Sequence, residues 1–195
     1  MRKITTTLTT TAEFSEDGNK RFTLTKTWDK EAPKLAIVML APSEASGIEL
    51  DSTTMLVLNN ASRLGYGTVS IVNLFATLGD LKEGFAEEED KENLKYIELA
   101  AKAADVLIYA AGVGKATNKR FIRRQNQVLD VLKAYEGKLK CLANEEGSAR
   151  FQHPLSPAVR TWHLSDMKVS ELCDSENKND DKKQAKIAEK SKKQA

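Results

Sequence analysis

Two hydrophobic periods take turns along this chain. Apolar runs at residues 35–40, 69–74, 106–110 and 139–143 each stop abruptly in a short loop, and the first shows no polar alternation at all, the mark of a strand buried on both faces. Between the runs the period becomes helical. Asp51 or Ser52 caps a helix running to about Leu64, with Met55, Leu58 and Leu64 as its apolar stripe and Gly65 as its stop. A second helix is predicted over 90–104, burying Leu94, Ile97 and Ala101, and a third over 117–135, burying Phe121, Val128, Leu129 and Leu132. Strand–helix alternation of this kind gives right-handed βαβ crossovers and an α/β three-layer fold around a mainly parallel sheet. Ahead of it, residues 4–28 alternate Thr or Lys with apolar side chains around the turn Ser15-Glu16-Asp17-Gly18-Asn19, a β-hairpin at the edge of the main sheet or a flap upon it.

In an open parallel sheet the carboxyl ends of the strands share one edge, where such folds place their crevice. The distinctive residues of this chain fall just past those ends: Pro42, Ser43, Glu44 and Asp51, then Asn73 and Phe75, then Gly112 and Gly114, then His153 and Ser156. Pro42 turns the strand sharply into a loop, either as an ordinary exit or to aim backbone amides at a ligand. Asp51 is a helix cap or a site acid. Asn73 closes an otherwise apolar strand, where a carboxamide must find partners or face a cavity, and its paired donor and acceptor suit the edge of a nucleobase. Phe75 is a stacking surface or a core aromatic. His153 heads the proline-rich loop His153-Pro154-Leu155-Ser156-Pro157, which holds the imidazole either to donate to a developing anion or to bond its own loop. Lys119, Arg120, Arg123 and Arg124 stand in the first turns of the third helix, against the macrodipole, as a solvated face or as contacts to an anion. Amides around Gly112 and Gly114 add an anion site at a helix start.

Composition narrows the class. A chain of 195 residues with 41% hydrophobic and 30% charged residues is one soluble domain with a real core. The formal charge of +2 is matched by the stretch from Asp174 onward, with seven Lys against five acids, so the body is near neutral and has no dominant phosphate-binding surface. The organisation expected is a domain over 1–172, with the hairpin at 4–28 and the core at 34–165, and a disordered charged tail over 173–195. Two cysteines, Cys141 and Cys173, and two histidines sit in no metal-ligand spacing, so neither metal nor cofactor is expected. No run reaches the roughly 20 apolar residues of a spanning helix, and the basic start lacks the apolar core of a signal peptide. The expected compartment is the cytoplasm, away from any membrane.

Phe14-Ser15 with Asp17-Gly18-Asn19, Arg21-Phe22, Trp28-Asp29, Val38-Met39-Leu40 with Pro42-Ser43, Asp51 with Thr53-Thr54, Leu64-Gly65-Tyr66-Gly67, Val72-Asn73-Leu74-Phe75-Ala76, Asn93 and His153-Pro154-Leu155 together resemble the bacterial and phage family called domain of unknown function 1643, which brings no established activity. More distantly, Leu40-Ala41-Pro42, Val72-Asn73, Ala110-Ala111-Gly112 and His153-Pro154-Leu155-Ser156 are similar in order and spacing to the motifs of the uracil-DNA glycosylase superfamily. That resemblance implies a four-stranded parallel sheet between helices, Ala41 and Pro42 in a water-positioning loop, Asn73 and Phe75 near the base, and His153 facing the leaving base. The chain departs from both patterns at Ala41, where the first family usually has Asn and most glycosylase branches a carboxylate or carboxamide; Glu44 and Asp51 are the only nearby acids. The function expected is a glycosylase-like domain that recognises a nucleobase, nucleotide or single-stranded nucleic-acid end, with hydrolysis of an N-glycosidic bond as its chemistry if it is an enzyme. The alternative is a non-catalytic protein-interaction or inhibitor module on the same fold.

Overall fold

A computed structural model of the chain describes residues 1–44, 47–79, 91–112 and 118–172. Its elements run β1 (Thr9–Phe14), β2 (Arg21–Thr27), β3 (Lys34–Met39), α1 (Ser52–Arg63), β4 (Thr68–Asn73), α2 (Lys91–Ala103), β5 (Val106–Tyr109), α3 (Lys119–Leu132), β6 (Leu139–Ala143) and β7 (His163–Asp166), with 3-10 turns at Lys133–Lys138 and Pro157–Val159. All seven strands join one sheet in the order β1-β2-β4-β3-β5-β6-β7. The pairings β4–β3, β3–β5 and β5–β6 are parallel, while β1–β2, β2–β4 and β6–β7 are antiparallel.

Helices cover both faces, and strand alternation divides the core between them. Ala36, Val38, Val72, Leu107, Tyr109 and Cys141 pack with Ile97 and Ala101 of α2 and Phe121, Val128, Leu129 and Leu132 of α3. Leu35, Ile37, Val69, Ile71, Ile108 and Leu142 pack on the opposite face with Val57 and Ala61 of α1 and with Val159 and Trp162. The three-layer α/β architecture follows from the two-sided burial of those strands.

Four expectations need correction. The sheet is mixed and seven-stranded rather than four-stranded, because the hairpin takes the edge position, one of its two expected placements, and extends the sheet: β2 pairs along β4 through Leu24↔Ile71 and Lys26↔Val69. A closing strand, β7, pairs antiparallel with β6; its His163-Leu164-Ser165-Asp166 is too short and polar to give a periodic signal. The first strand begins at Thr9, where its partner β2 ends at Thr27, so the alternating residues before it have nothing to pair with. Finally, α1 turns a different face inward: Met55 and Leu64 are exposed, whereas Thr54, Val57, Asn60 and Ala61 are buried. Asn60 is drawn in because its side chain donates to Arg160 O and accepts from the Trp162 amide at 3.0 Å, tying the helix to the segment that follows the His153 loop. The expected tail, Gly114, and the residues at 90 and 117 where helices were expected to start lie outside the described residues.

Candidate site at the carboxyl edge of the sheet

Arg21 comes to the site through a defect in the hairpin. The β1–β2 register steps from Glu13↔Thr23 to Phe14↔Arg21, leaving Phe22 as an extra residue. A β-bulge reverses the alternation on one side of itself. Phe22 therefore stacks on Tyr96 of α2, with centroids 4.6 Å apart, while Arg21 shares the α1 side of the sheet with Leu24. The guanidinium is 2% exposed and donates through Nη1 to Ser43 O at 3.0 Å. Burial lowers its pKa and the negative charge of Asp51 opposes that shift.

Ser43 follows the buried Pro42 at the exit of β3. Its hydroxyl donates to Asp51 Oδ2. Asp51 is the N-cap of α1, accepting from the Thr54 amide at 2.8 Å and from the Thr54 hydroxyl at 3.0 Å. Burial alone would raise this carboxyl's pKa, but the donors from Ser43 and Thr54 outweigh it and hold the group below the ordinary range. Asp51 is thus an anion at neutral pH, with a fixed orientation.

His153 lies on the loop that leads to Val159 and Trp162 on the same side of the sheet. Its Nδ1 accepts from the Leu155 amide at 3.2 Å, so the neutral imidazole carries its proton on Nε2. Desolvation lowers its pKa, and the charge of Asp51 works in the other direction. A neutral ring with a donor at Nε2 is the form present at pH 7.

Asn73 completes the group. It ends β4 opposite Met39 of β3, and strand alternation sets its side chain on the α1 side with Ile71 and Met39. It is 1% exposed, yet among the described residues neither Oδ1 nor Nδ2 has a hydrogen-bond partner. Buried amides are almost always paired, and leaving one unpaired costs roughly 1–3 kcal/mol. The backbone beneath it is fixed from across the sheet. Asn93 Nδ2 donates to Asn73 O at 3.0 Å and to Leu74 O at 3.2 Å, and Arg124 Nε donates to Leu74 O at 2.6 Å.

The structure therefore joins Arg21, Ser43 and Asp51 by hydrogen bonds and sets His153 within the influence of the Asp51 charge, with Pro42 next to Ser43 in the chain and Asn73 on the same side of the sheet at the end of β4. Other candidates stand elsewhere. Phe75 is a core residue on the α2–α3 side, and Arg124 is fully buried on that side as a fastener of the β4 exit. Arg120 is an exposed residue at the start of α3, its amide capped by Asn118. Glu44 is exposed. Ser156 spends its hydroxyl on Gln152 Oε1 at 2.8 Å, inside its own loop. Gly112 follows β5 with φ +80°, a left-handed turn that suits glycine. Among the described residues no three His, Cys, Asp or Glu side chains are grouped to hold a metal, and no helix is long and apolar enough to cross a membrane.

These features define an α/β domain with a composite polar site at the carboxyl ends of its central strands. A family model described as protein of unknown function (DUF1643) matches residues 21–155, and the chain belongs to that family. The match runs from Arg21 to Leu155, spanning the site. No curated protein and no solved structure matches the chain.

Proposed function

We propose that this site binds a nucleobase, presented by a nucleotide or by a single-stranded nucleic-acid end. The observation that carries the reading is Asn73, a buried carboxamide whose donor and acceptor are both unused. A base edge offers the complementary acceptor and donor side by side. His153 supports it with an Nε2 proton to give, since Nδ1 is occupied by the Leu155 amide. The order of the Leu40-Ala41-Pro42, Val72-Asn73 and His153-Pro154-Leu155 motifs, similar to that of uracil-DNA glycosylases, points the same way.

Cleavage of an N-glycosidic bond develops positive charge on the sugar and negative charge on the base, so it calls for an anion near the first and a donor near the second. Asp51 supplies the anion and the neutral His153 the donor. Asp51 is engaged by three donors, which suits a fixed electrostatic partner better than a proton acceptor, and the side chain of Ala41 offers no polar atom to orient a water. Recognition of the base is accordingly the primary role, with hydrolysis resting on Asp51 and His153.

A panel of free bases, nucleosides, nucleotides and short single-stranded DNA tests this by thermal shift, because a ligand at about 100 times its Kd adds about 2.7 kcal/mol of stability. One ligand class should raise the Tm of the wild type and not that of His153→Ala. Release of free base from the active class, read by chromatography, would add the hydrolytic step. A protein-interaction role is the second reading. It is favoured by Ile48, 97% exposed, and by Leu50 and Met55, also exposed, beside the N-terminus of α1; a panel in which every ligand leaves the Tm unmoved selects it.

A further inference from the structure

We propose that two copies of this chain pair antiparallel through residues 3–13, joining their sheets across a twofold axis at Leu8. Strand β1 is an outermost strand of the sheet, so one row of its backbone donors and acceptors faces outward, a template for another strand. Edge strands are ordinarily protected by charges, proline or bulges facing outward. From Ile4 to Ala12 this chain has no Lys, Arg, Asp, Glu, Pro or Gly. Residues 4–8, Ile-Thr-Thr-Thr-Leu, keep the β-branched composition of a strand, although they lie beyond the last β1–β2 pair, Thr9↔Thr27, and form no strand within the monomer. A strand-patterned segment without a partner calls for one from outside.

The segment is complementary to itself. Even positions carry Ile4, Thr6, Leu8, Thr10, Ala12 and Phe14, and odd positions carry Lys3, Thr5, Thr7, Thr9, Thr11 and Glu13, so every apolar side chain of the segment falls on the even face. Ala12 packs on the α1-side core, so the even positions belong to that side. In an antiparallel register centred on Leu8 each residue keeps its side of the sheet: Lys3 lies opposite the partner's Glu13, Thr5 opposite the partner's Thr11, Thr7 opposite the partner's Thr9, and Ile4 opposite the partner's Ala12. Opposite-charge and Thr–Thr pairs directly across from one another are favourable cross-strand combinations. Moving the register by one residue in either direction would set Lys3 against an apolar residue, Ala12 or Phe14, and pair even positions with odd ones, turning apolar positions to the polar side. Ile4, Leu8 and Phe14, at 74%, 48% and 42% exposure, then form one stripe shared by the two copies, and the contact is isologous, as a closed dimer requires.

Sedimentation velocity of the full chain over a concentration series tests the proposal. The wild type should move from monomer to dimer as concentration rises. Leu8→Lys brings two like charges together at the axis and should weaken association at least about tenfold; residue 8 lies outside β1, so the monomer fold is untouched. Lys3→Glu should weaken association and Lys3→Glu with Glu13→Lys should restore it. In a Cys173→Ser background, which leaves the buried Cys141 as the one native thiol, mild oxidation of Leu8→Cys should give a covalent dimer and of Ile4→Cys should not. A wild type that stays monomeric at every concentration, an undiminished dimer in Leu8→Lys, or equal crosslinking of the two cysteine variants would each overturn it.

Discussion

Replacing Asn73 with Leu separates the stability of this domain from its binding. Leu branches at Cγ as Asn does, so it fits the same space without polar atoms. Asn73 is 1% exposed, and neither polar atom of its carboxamide has a partner among the described residues. An unsatisfied buried polar group costs roughly 1–3 kcal/mol, and exchanging it for an apolar group of similar shape recovers that amount. At about 3 °C per kcal/mol for a domain of this size, Asn73→Leu should raise the Tm by roughly 3–9 °C. The same variant loses its donor and acceptor, so the thermal shift given to the wild type by a nucleobase ligand should vanish. Scanning calorimetry with and without ligand reads both effects. A fall in Tm would refute the reasoning, because it would mean that the carboxamide contributes to the fold through partners such as ordered water.

Three more outcomes follow from the same contacts. Asp51→Ala removes the N-cap of α1 and the acceptor for Ser43, and should cost about 1–2 kcal/mol in urea titrations at pH 7. The folded pKa of Asp51 is depressed, so its contribution is complete above the unfolded value and is lost as pH falls through the folded one; the gap between wild type and variant should close below about pH 4. His153 also has a depressed pKa, so down to about pH 6.5 its Nδ1 stays unprotonated and keeps the Leu155 amide that orients the ring; base affinity, measured by calorimetry, should hold from pH 8 to 6.5 and change only in more acid solution, where protonation of Nδ1 releases that amide, and an affinity that changes between pH 8 and 7 would contradict the assignment. Arg124→Met removes a buried charge-assisted bond to Leu74 O and should cost roughly 1.5–3 kcal/mol by chemical denaturation, and it should weaken base binding through the displaced exit of β4.

The central strands and the helices were legible because burial on both faces leaves apolar runs and a single buried face leaves a 3.6-residue period. Asp51 was readable, with Ser52, as one of two caps because a short oxygen-bearing side chain precedes the helical period, and the structure chooses Asp51. The same logic misplaced the buried face of α1, since Asn60, a polar residue, is carried inward by its bonds to Arg160 and Trp162. Arg124 read as part of a basic face, yet it sits on the inner side of α3, one helical turn behind Val128, and reaches the β4 exit from there. Arg21 was not singled out as a site residue. A bulge at Phe22 decides where its guanidinium goes, and a bulge is a register event between two strands that the alternation of one strand does not record. The unused carboxamide of Asn73 was legible as a question, an amide at the end of an apolar strand; whether anything in the chain answers it depends on residues distant in sequence.

The most direct test of the site is the side-chain NH2 signal of Asn73 in a nitrogen-15 correlation spectrum, assigned by its absence in Asn73→Leu and followed while nucleobases, nucleosides and nucleotides are titrated in. Recognition of a base predicts that the Asn73 pair shifts in a saturable way with one ligand class, and that the His153 ring shifts with it. An Asn73 signal that stays still at saturating concentrations of every ligand would contradict the assignment of this edge as a nucleobase site.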